Sequence, residues 1–236
     1  MTLETQRVAY GDQNVRLHGF LAIDAARRDT RPGILVVHGG AGLDDHARGR
    51  ARRFAEAGFV AFACDMYGEG ITGREAIMRH VMDLRNNRDK LRQRAQLAID
   101  LLRAHPQVDG RLAAVGYCFG GMTVLELARG GAALMGTVSV HGSLDTTAPA
   151  QPAAVQGKIL ICHGALDPHV PMTQVAAFVE EMKQAGVDYQ LIVYGGAMHG
   201  FTHETATGQQ PGVAYHAPAD ARSSAAIAAF FGEIFE

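Results

Sequence analysis

The chain has 236 residues, of which 47% are hydrophobic and 19% charged, a folded globular balance that excludes a disordered chain. Its 22 Lys and Arg against 24 Asp and Glu leave a formal charge of −2, which gives no electrostatic footprint for nucleic acid or an anionic membrane. No apolar run reaches the roughly 18 residues of a membrane helix, and the opening MTLETQRVAYGDQ lacks the basic region and apolar core of a secretory signal.

Three scattered cysteines, Cys64, Cys118 and Cys162, fit neither a disulfide framework nor a zinc site. The expectation is a reduced, cytoplasmic, single domain over 1–236. In chain order, 16–23 alternates with period two and predicts an early strand. Residues 33–37 form an apolar run ending at His38-Gly39-Gly40, the pattern of a buried parallel strand feeding a loop. Helical spacing over 45–57 follows, with Asp44 or Asp45 as cap and Gly58 as stop. A second buried strand covers 59–64, then a loop covers 65–73. Residues 85–105 read as one long amphipathic helix with an apolar stripe through Leu91, Ala95, Ala98, Leu101 and Leu102. Its arginines are interleaved with acidic residues and read as a solvated face.

Residues 112–117 predict a core strand that runs directly into Cys-Phe-Gly-Gly and a helix to Ala128. Strands at 136–140 and 158–162, a helix at 172–185 closed by Gly186, a strand at 189–194 and a helix at 219–235 complete the pattern. Strands alternating with helices imply a mostly parallel α/β sheet covered by helices on both faces.

The sharpest local feature is Gly116-Tyr117-Cys118-Phe119-Gly120-Gly121 between a strand and a helix. It is a nucleophile elbow with cysteine in the nucleophile position. The turn reverses within a few residues and needs glycines where side chains would meet backbone. The following helix aims its amino end at the reacting atom and favours a thiolate or an oxyanion. A buried, inert cysteine is the commoner state of a lone Cys; that reading suits Cys64 and Cys162, which lie in apolar strands, better than Cys118.

A nucleophile needs a base and a group to orient it. Asp167 follows the strand KILIC and precedes Pro168; His199 lies in GGAMHGF after YQLIVY. The order Cys118, Asp167, His199 is that of an α/β-hydrolase. His141, His163 and His169 lie near strand ends and line the cleft without an acid partner of their own. His199 and His203 have metal spacing only on a helix, and Gly200 argues against one. No metal or cofactor is expected.

VVHGGAGLDDHARGRARRFAEAGFVAFACDMYG, VGYCFGG, HGALDPHVP and GGAMHGF together resemble the dienelactone hydrolase family over nearly the whole chain. The resemblance implies about eight strands, no lid domain, and a Cys118–His199–Asp167 triad. It also implies an oxyanion hole from the backbone N–H groups of Phe119 and Gly40. Many members carry a glutamate where this chain has Gly39, which keeps the resting cysteine protonated. Members that act on dienelactone clamp its carboxylate with arginines; here the position after the catalytic histidine is His203, and Arg74, Arg79 or Arg85 is the remaining candidate. With Gly39 and His203 at these places, the resemblance points to neutral activated esters or lactones, aryl esters among them, and to phosphotriesters. Gly39, His203, Tyr67 and His38 are the substrate-binding candidates, on a small-molecule substrate in a monomer or homodimer. Activity on dienelactone itself (carboxymethylenebutenolide) is the alternative. A binding module or a redox sensor on the same fold is the second, although no resolving cysteine lies near Cys118 in sequence.

Overall fold

Short runs with no polar break suit strands buried in a parallel sheet, and the computed structural model, which describes every residue except 13, 14, 70 and 72, has them there. In chain order the elements are β1 Leu3–Asp12, β2 Val15–Asp24, β3 Arg31–Val37, α1 Asp45–Glu56, β4 Val60–Cys64, α2 Arg74–Asn86 and α3 Arg88–Arg103. There follow β5 Val108–Tyr117, α4 Phe119–Arg129, β6 Gly136–Val140, β7 Lys158–Gly164, α5 Met172–Ala185, β8 Tyr189–Tyr194 and α6 Ala217–Phe235. The strands form an eight-stranded sheet in the order β1-β2-β4-β3-β5-β6-β7-β8. It is antiparallel at β1–β2 and β2–β4 and parallel at β3–β4, β6–β7 and β7–β8. This is the mostly parallel architecture of the α/β-hydrolase fold. Two compact units, Met1–Val115 and Gly116–Glu236, divide the chain.

In the first unit every residue of β3 and β4 is buried. Asp44 caps α1 by accepting the Ala47 N–H at 3.0 Å. Two expectations need correction here. The first strand, β1, was not anticipated: LETQRVAYGD carries too little apolar alternation, and its strand state comes from ten paired positions along β2. The helix expected over 85–105 is α3, Arg88–Arg103, and a separate helix, α2 Arg74–Asn86, precedes it without having been expected. The break between them falls at Asn87, whose φ of −121° and ψ of 83° end α2 and whose side chain accepts the Lys90 N–H at 3.1 Å to start α3. With only Leu84 buried, α2 lacks the apolar stripe that would announce it. In the 65–73 loop, Asp65 Oδ1 accepts the N–H groups of Tyr67 and Gly68 at 2.9 and 3.0 Å; residues 70 and 72 lie outside the described set.

The second unit is built around α4, which is buried along its whole length, its buried Glu126 and Arg129 paired with each other. Arg129 anchors its far end. The guanidinium grips both Glu181 oxygens at 2.8 Å, donates to the Leu144 carbonyl at 2.9 Å and lies 3.3 Å from Glu126. Val175, Phe178 and Met182 of α5 repeat at helical spacing and pack with Leu125, Ile159 and Ile161. Each such side chain contributes about 1.5–3 kcal/mol on burial. Gly186 closes α5 at φ 68°, the left-handed state that glycine reaches without strain. His216 caps α6, which therefore begins two residues before the expected 219. Among the described residues no helix is long and apolar enough to cross a membrane.

Candidate active site

The strand-to-helix turn after β5 places Cys118 at φ 55°, ψ −114°, a region that non-glycine residues rarely enter. Two features hold it there. A Cβ on Gly116 would collide with the Gly120 carbonyl, and one on Gly121 would come within 2.5 Å of Ser139 Oγ and 2.8 Å of the Gly142 Cα. The turn closes only because these positions carry no side chain. Cys118 N–H is also fixed, to the Val140 carbonyl at 3.0 Å and to His141 Nδ1 at 3.1 Å. Cys118 is partly exposed, whereas Cys64 and Cys162 are buried. Burial pushes both of those thiols up, Cys162 to about 12, so neither is a nucleophile at neutral pH.

Asp167 lies three residues past β7. Its Oδ1 accepts the N–H groups of His169 and Val170 at 2.8 and 3.2 Å, which aims Oδ2 at His199 Nδ1, 2.8 Å away. The opposite ring nitrogen, His199 Nε2, is 3.0 Å from Cys118 Sγ. The His199 backbone is pinned on both sides: its N–H donates to the Gly212 carbonyl at 3.1 Å and its carbonyl accepts the Ala214 N–H at 3.2 Å. Gly212 in turn packs so closely on Pro168 that a Cβ there would collide. The loops carrying acid and base are thus wedged together. Burial pulls the His199 imidazole down, but the Asp167 hydrogen bond and the Cys118 sulfur outweigh it and raise it to about 10. The arrangement can hold an imidazolium beside a thiolate and move a proton between sulfur, Nε2 and a bound leaving group.

Other histidines gather around this group. His169 crosses the His199 ring at 5.3 Å and His141 crosses it at 5.5 Å. His163 is buried; burial pushes its imidazole down, and its Nε2 has no hydrogen-bond partner among the described residues. His203 lies 5.7 Å from the His141 ring, and Gly200, at φ 66°, breaks any helical register between His199 and His203. Thr202, which sequence reasoning passed over, is 1% exposed and lies 2.9 Å from His141 Nε2. A strand-end histidine beside Gly142 is the one sequence signal that singles out His141, and it does not reveal its partners.

In the first unit His38 is fully buried. Its Nδ1 donates to the Gly39 carbonyl at 2.7 Å and its Nε2 accepts the Met66 N–H at 3.1 Å. Tyr67 donates its hydroxyl to the Gly40 carbonyl at 3.2 Å and stacks edge-on against His38. Both side chains therefore brace the 38–40 loop. Tyr67 also borders, with Arg7, His18, Gly42, Glu69 and Ile77, an open cavity of about 470 Å³. Among the clamp candidates, Arg79 is exposed and paired with Glu75 at 2.6 Å.

A parallel sheet with a cysteine at its elbow and an acid and a base after later strands defines an α/β-hydrolase-fold protein. The dienelactone hydrolase family model matches residues 17–235, and the chain belongs to that family. It is similar to a dienelactone hydrolase-like promiscuous phosphotriesterase from metagenomic libraries, at 38% identity, a TM-score of 0.92 and full coverage of both chains. It is 37% identical to an uncharacterised protein of Caenorhabditis elegans over 62% of this chain and 95% of that one. The dienelactone hydrolase of Anabaena variabilis has the same fold, with a TM-score of 0.72 at 19% identity and full coverage of both chains.

Proposed function

We propose that this chain is a single-domain cysteine hydrolase of neutral activated esters and lactones, with aryl esters the best substrates. Cys118 is the nucleophile, His199 the base and Asp167 the group that orients it. The observation that carries the reading is the unbroken line Sγ–Nε2 at 3.0 Å and Nδ1–Oδ2 at 2.8 Å. The Cys118 thiolate attacks the carbonyl carbon, and the charge moves to the carbonyl oxygen. The Phe119 N–H, at the amino end of α4, is a donor to that oxygen. The imidazolium gives its Nε2 proton to the departing alkoxide or phenoxide and leaves a thioester. The neutral ring then takes a proton from water, which attacks the thioester, releases the acid and restores the thiolate.

A second electrophile class has its own support, the 38% identity to a promiscuous phosphotriesterase over the full chain. Here Cys118 displaces the best leaving group at phosphorus, and water activated by His199 cleaves the thiophosphoryl intermediate. Gly39 brings no carboxylate to the 38–40 loop, in keeping with substrates that carry no charge of their own.

The test is Cys118→Ala against a panel of aryl esters, lactones and aryl phosphotriesters, with and without chelator. Loss of about 10⁴-fold or more in kcat is expected, along with a burst of phenol release in the parent and unchanged rates in chelator. A variant within tenfold of the parent removes Cys118 as nucleophile. Loss in chelator restored by zinc or manganese replaces the mechanism with a metal-assisted one.

A further inference from the structure

We propose that His141 is a positioning residue that couples the nucleophile turn to the loop bearing the base, by a relay from Cys118 N–H through the imidazole to Thr202. The inference rests on the Cys118–His199–Asp167 reading. At the end of β6, His141 N–H donates to the Cys162 carbonyl at 2.8 Å, and a φ of 41° then turns the chain. This conformation carries the ring beneath the elbow, where His141 is 1% exposed. Nδ1 accepts the Cys118 N–H at 3.1 Å, and a backbone N–H only donates. Nδ1 is therefore unprotonated, the ring proton sits on Nε2, and Thr202 Oγ1, 2.9 Å away, accepts it. One neutral ring thus bridges residues 23 and 61 positions away in the chain. Its protonation would set two donors against each other at Nδ1.

The placement bears on the reacting atoms without touching substrate. Cys118 occupies a backbone region that relaxes unless something holds it. Val140 and His141 share its N–H and fix the peptide plane that sets the direction of Sγ toward His199 Nε2. At the other end, Thr202 lies three residues past His199, and Phe201 crosses the His141 ring at 5.0 Å and 82°. The titratable rings facing His141 are His199, His203 and Tyr117, at 5.5, 5.7 and 6.1 Å. Loss of the relay lets sulfur and imidazole drift apart, and a drift of about 1 Å costs up to roughly 100-fold in rate.

The experiment compares His141→Phe, His141→Asn and Thr202→Val with the parent. Phe keeps a ring against Phe201 but offers no acceptor. Asn offers Oδ1 in place of Nδ1 and tolerates the left-handed backbone. The readouts are kcat and KM on an aryl ester, the pH profile of Cys118 alkylation by iodoacetamide followed on its peptide, and the melting temperature. Expected for His141→Phe are a kcat lower by about 10- to 100-fold, a KM within about threefold, and an alkylation midpoint moved toward the free-cysteine value near 8.5. Asn should recover most of the loss, and Thr202→Val should shift the alkylation midpoint in the same direction by less. If His141→Phe does not fold, Asn and Thr202→Val carry the test: an alkylation profile superimposable on the parent's in Thr202→Val overturns the relay. Folded His141→Phe with parental kcat and alkylation, or equal losses in Phe and Asn, overturns it too. Alkylation needs no substrate, so failure of the hydrolase reading, seen as an active Cys118→Ala, is distinguished from failure of the relay.

Discussion

At His199 two opposing effects meet, and their balance sets how firmly the ring holds its proton. The side chain is only 14% exposed, and burial by itself would strip its proton. Asp167, whose carboxylate is completely buried, and the sulfur of Cys118 reverse that outcome. Asp167→Asn should therefore do more than remove a charge. The amide can present N–H to Nδ1, which forces the ring proton onto the other nitrogen and spoils the proposed role of the ring as base. A fall of about 10⁴ in kcat with little change in KM is expected from such a tautomer change. Steady-state kinetics on an aryl ester decide it, and a variant within tenfold of the parent would show that Asp167 only closes its own turn through His169 and Val170.

At the scale of elements, the elbow and the end of α5 both depend on glycine for different reasons. Gly116 needs empty space, because a Cβ would enter the Gly120 carbonyl. Gly186 needs a left-handed backbone at φ 68° but has nothing within 4 Å of the position a Cβ would take. Gly116→Ala should cost about 3 kcal/mol or more, since backbone cannot move aside as a side chain can. It should also lower kcat in the protein that remains folded. Gly186→Ala should cost about 1 kcal/mol and leave kcat unchanged. Urea unfolding of the two variants separates them; equal costs would mean that the elbow relaxes more easily than its packing implies.

For the molecule as a whole, the Cys118–His199 pair makes stability depend on pH with a defined sign. The unfolded imidazole titrates near 6.5 and the folded one near about 10, so taken alone the folded chain binds the extra proton between these values. Its stabilisation is then full below about 6.5 and is lost as pH rises through about 10. If Cys118 rests as the thiolate partner, the unfolded thiol keeps a balancing proton up to about 8.5, and the decline begins there instead. Melting temperatures of the parent minus those of His199→Gln, from pH 7 to 10, should stay level to about 8.5 and then fall. A decline already under way at about pH 7 would mean a neutral resting thiol.

The proposed triad was legible in local sequence because each of its members lies in the turn or loop that follows a strand. β6, α5 and β8 have the bounds the sequence predicts, since turn residues and apolar runs delimit them locally. Gly116, Cys118 and Gly120, Asp167 before Pro168, and His199 among glycines each carry a local signature of backbone or position. β1, the break at Asn87, and the partners of His141 do not. β1 is a strand because β2 supplies its hydrogen bonds, and α2 is a helix that buries little more than Leu84. His141 meets Cys118 and Thr202 only once β6 and the histidine loop have folded beside the elbow. Sequence determines the kinds of groups and their order, because backbone preferences and apolar periodicity act over a few residues. Tertiary structure alone decides which nitrogen carries a proton, because that depends on donors and acceptors brought together from distant parts of the chain.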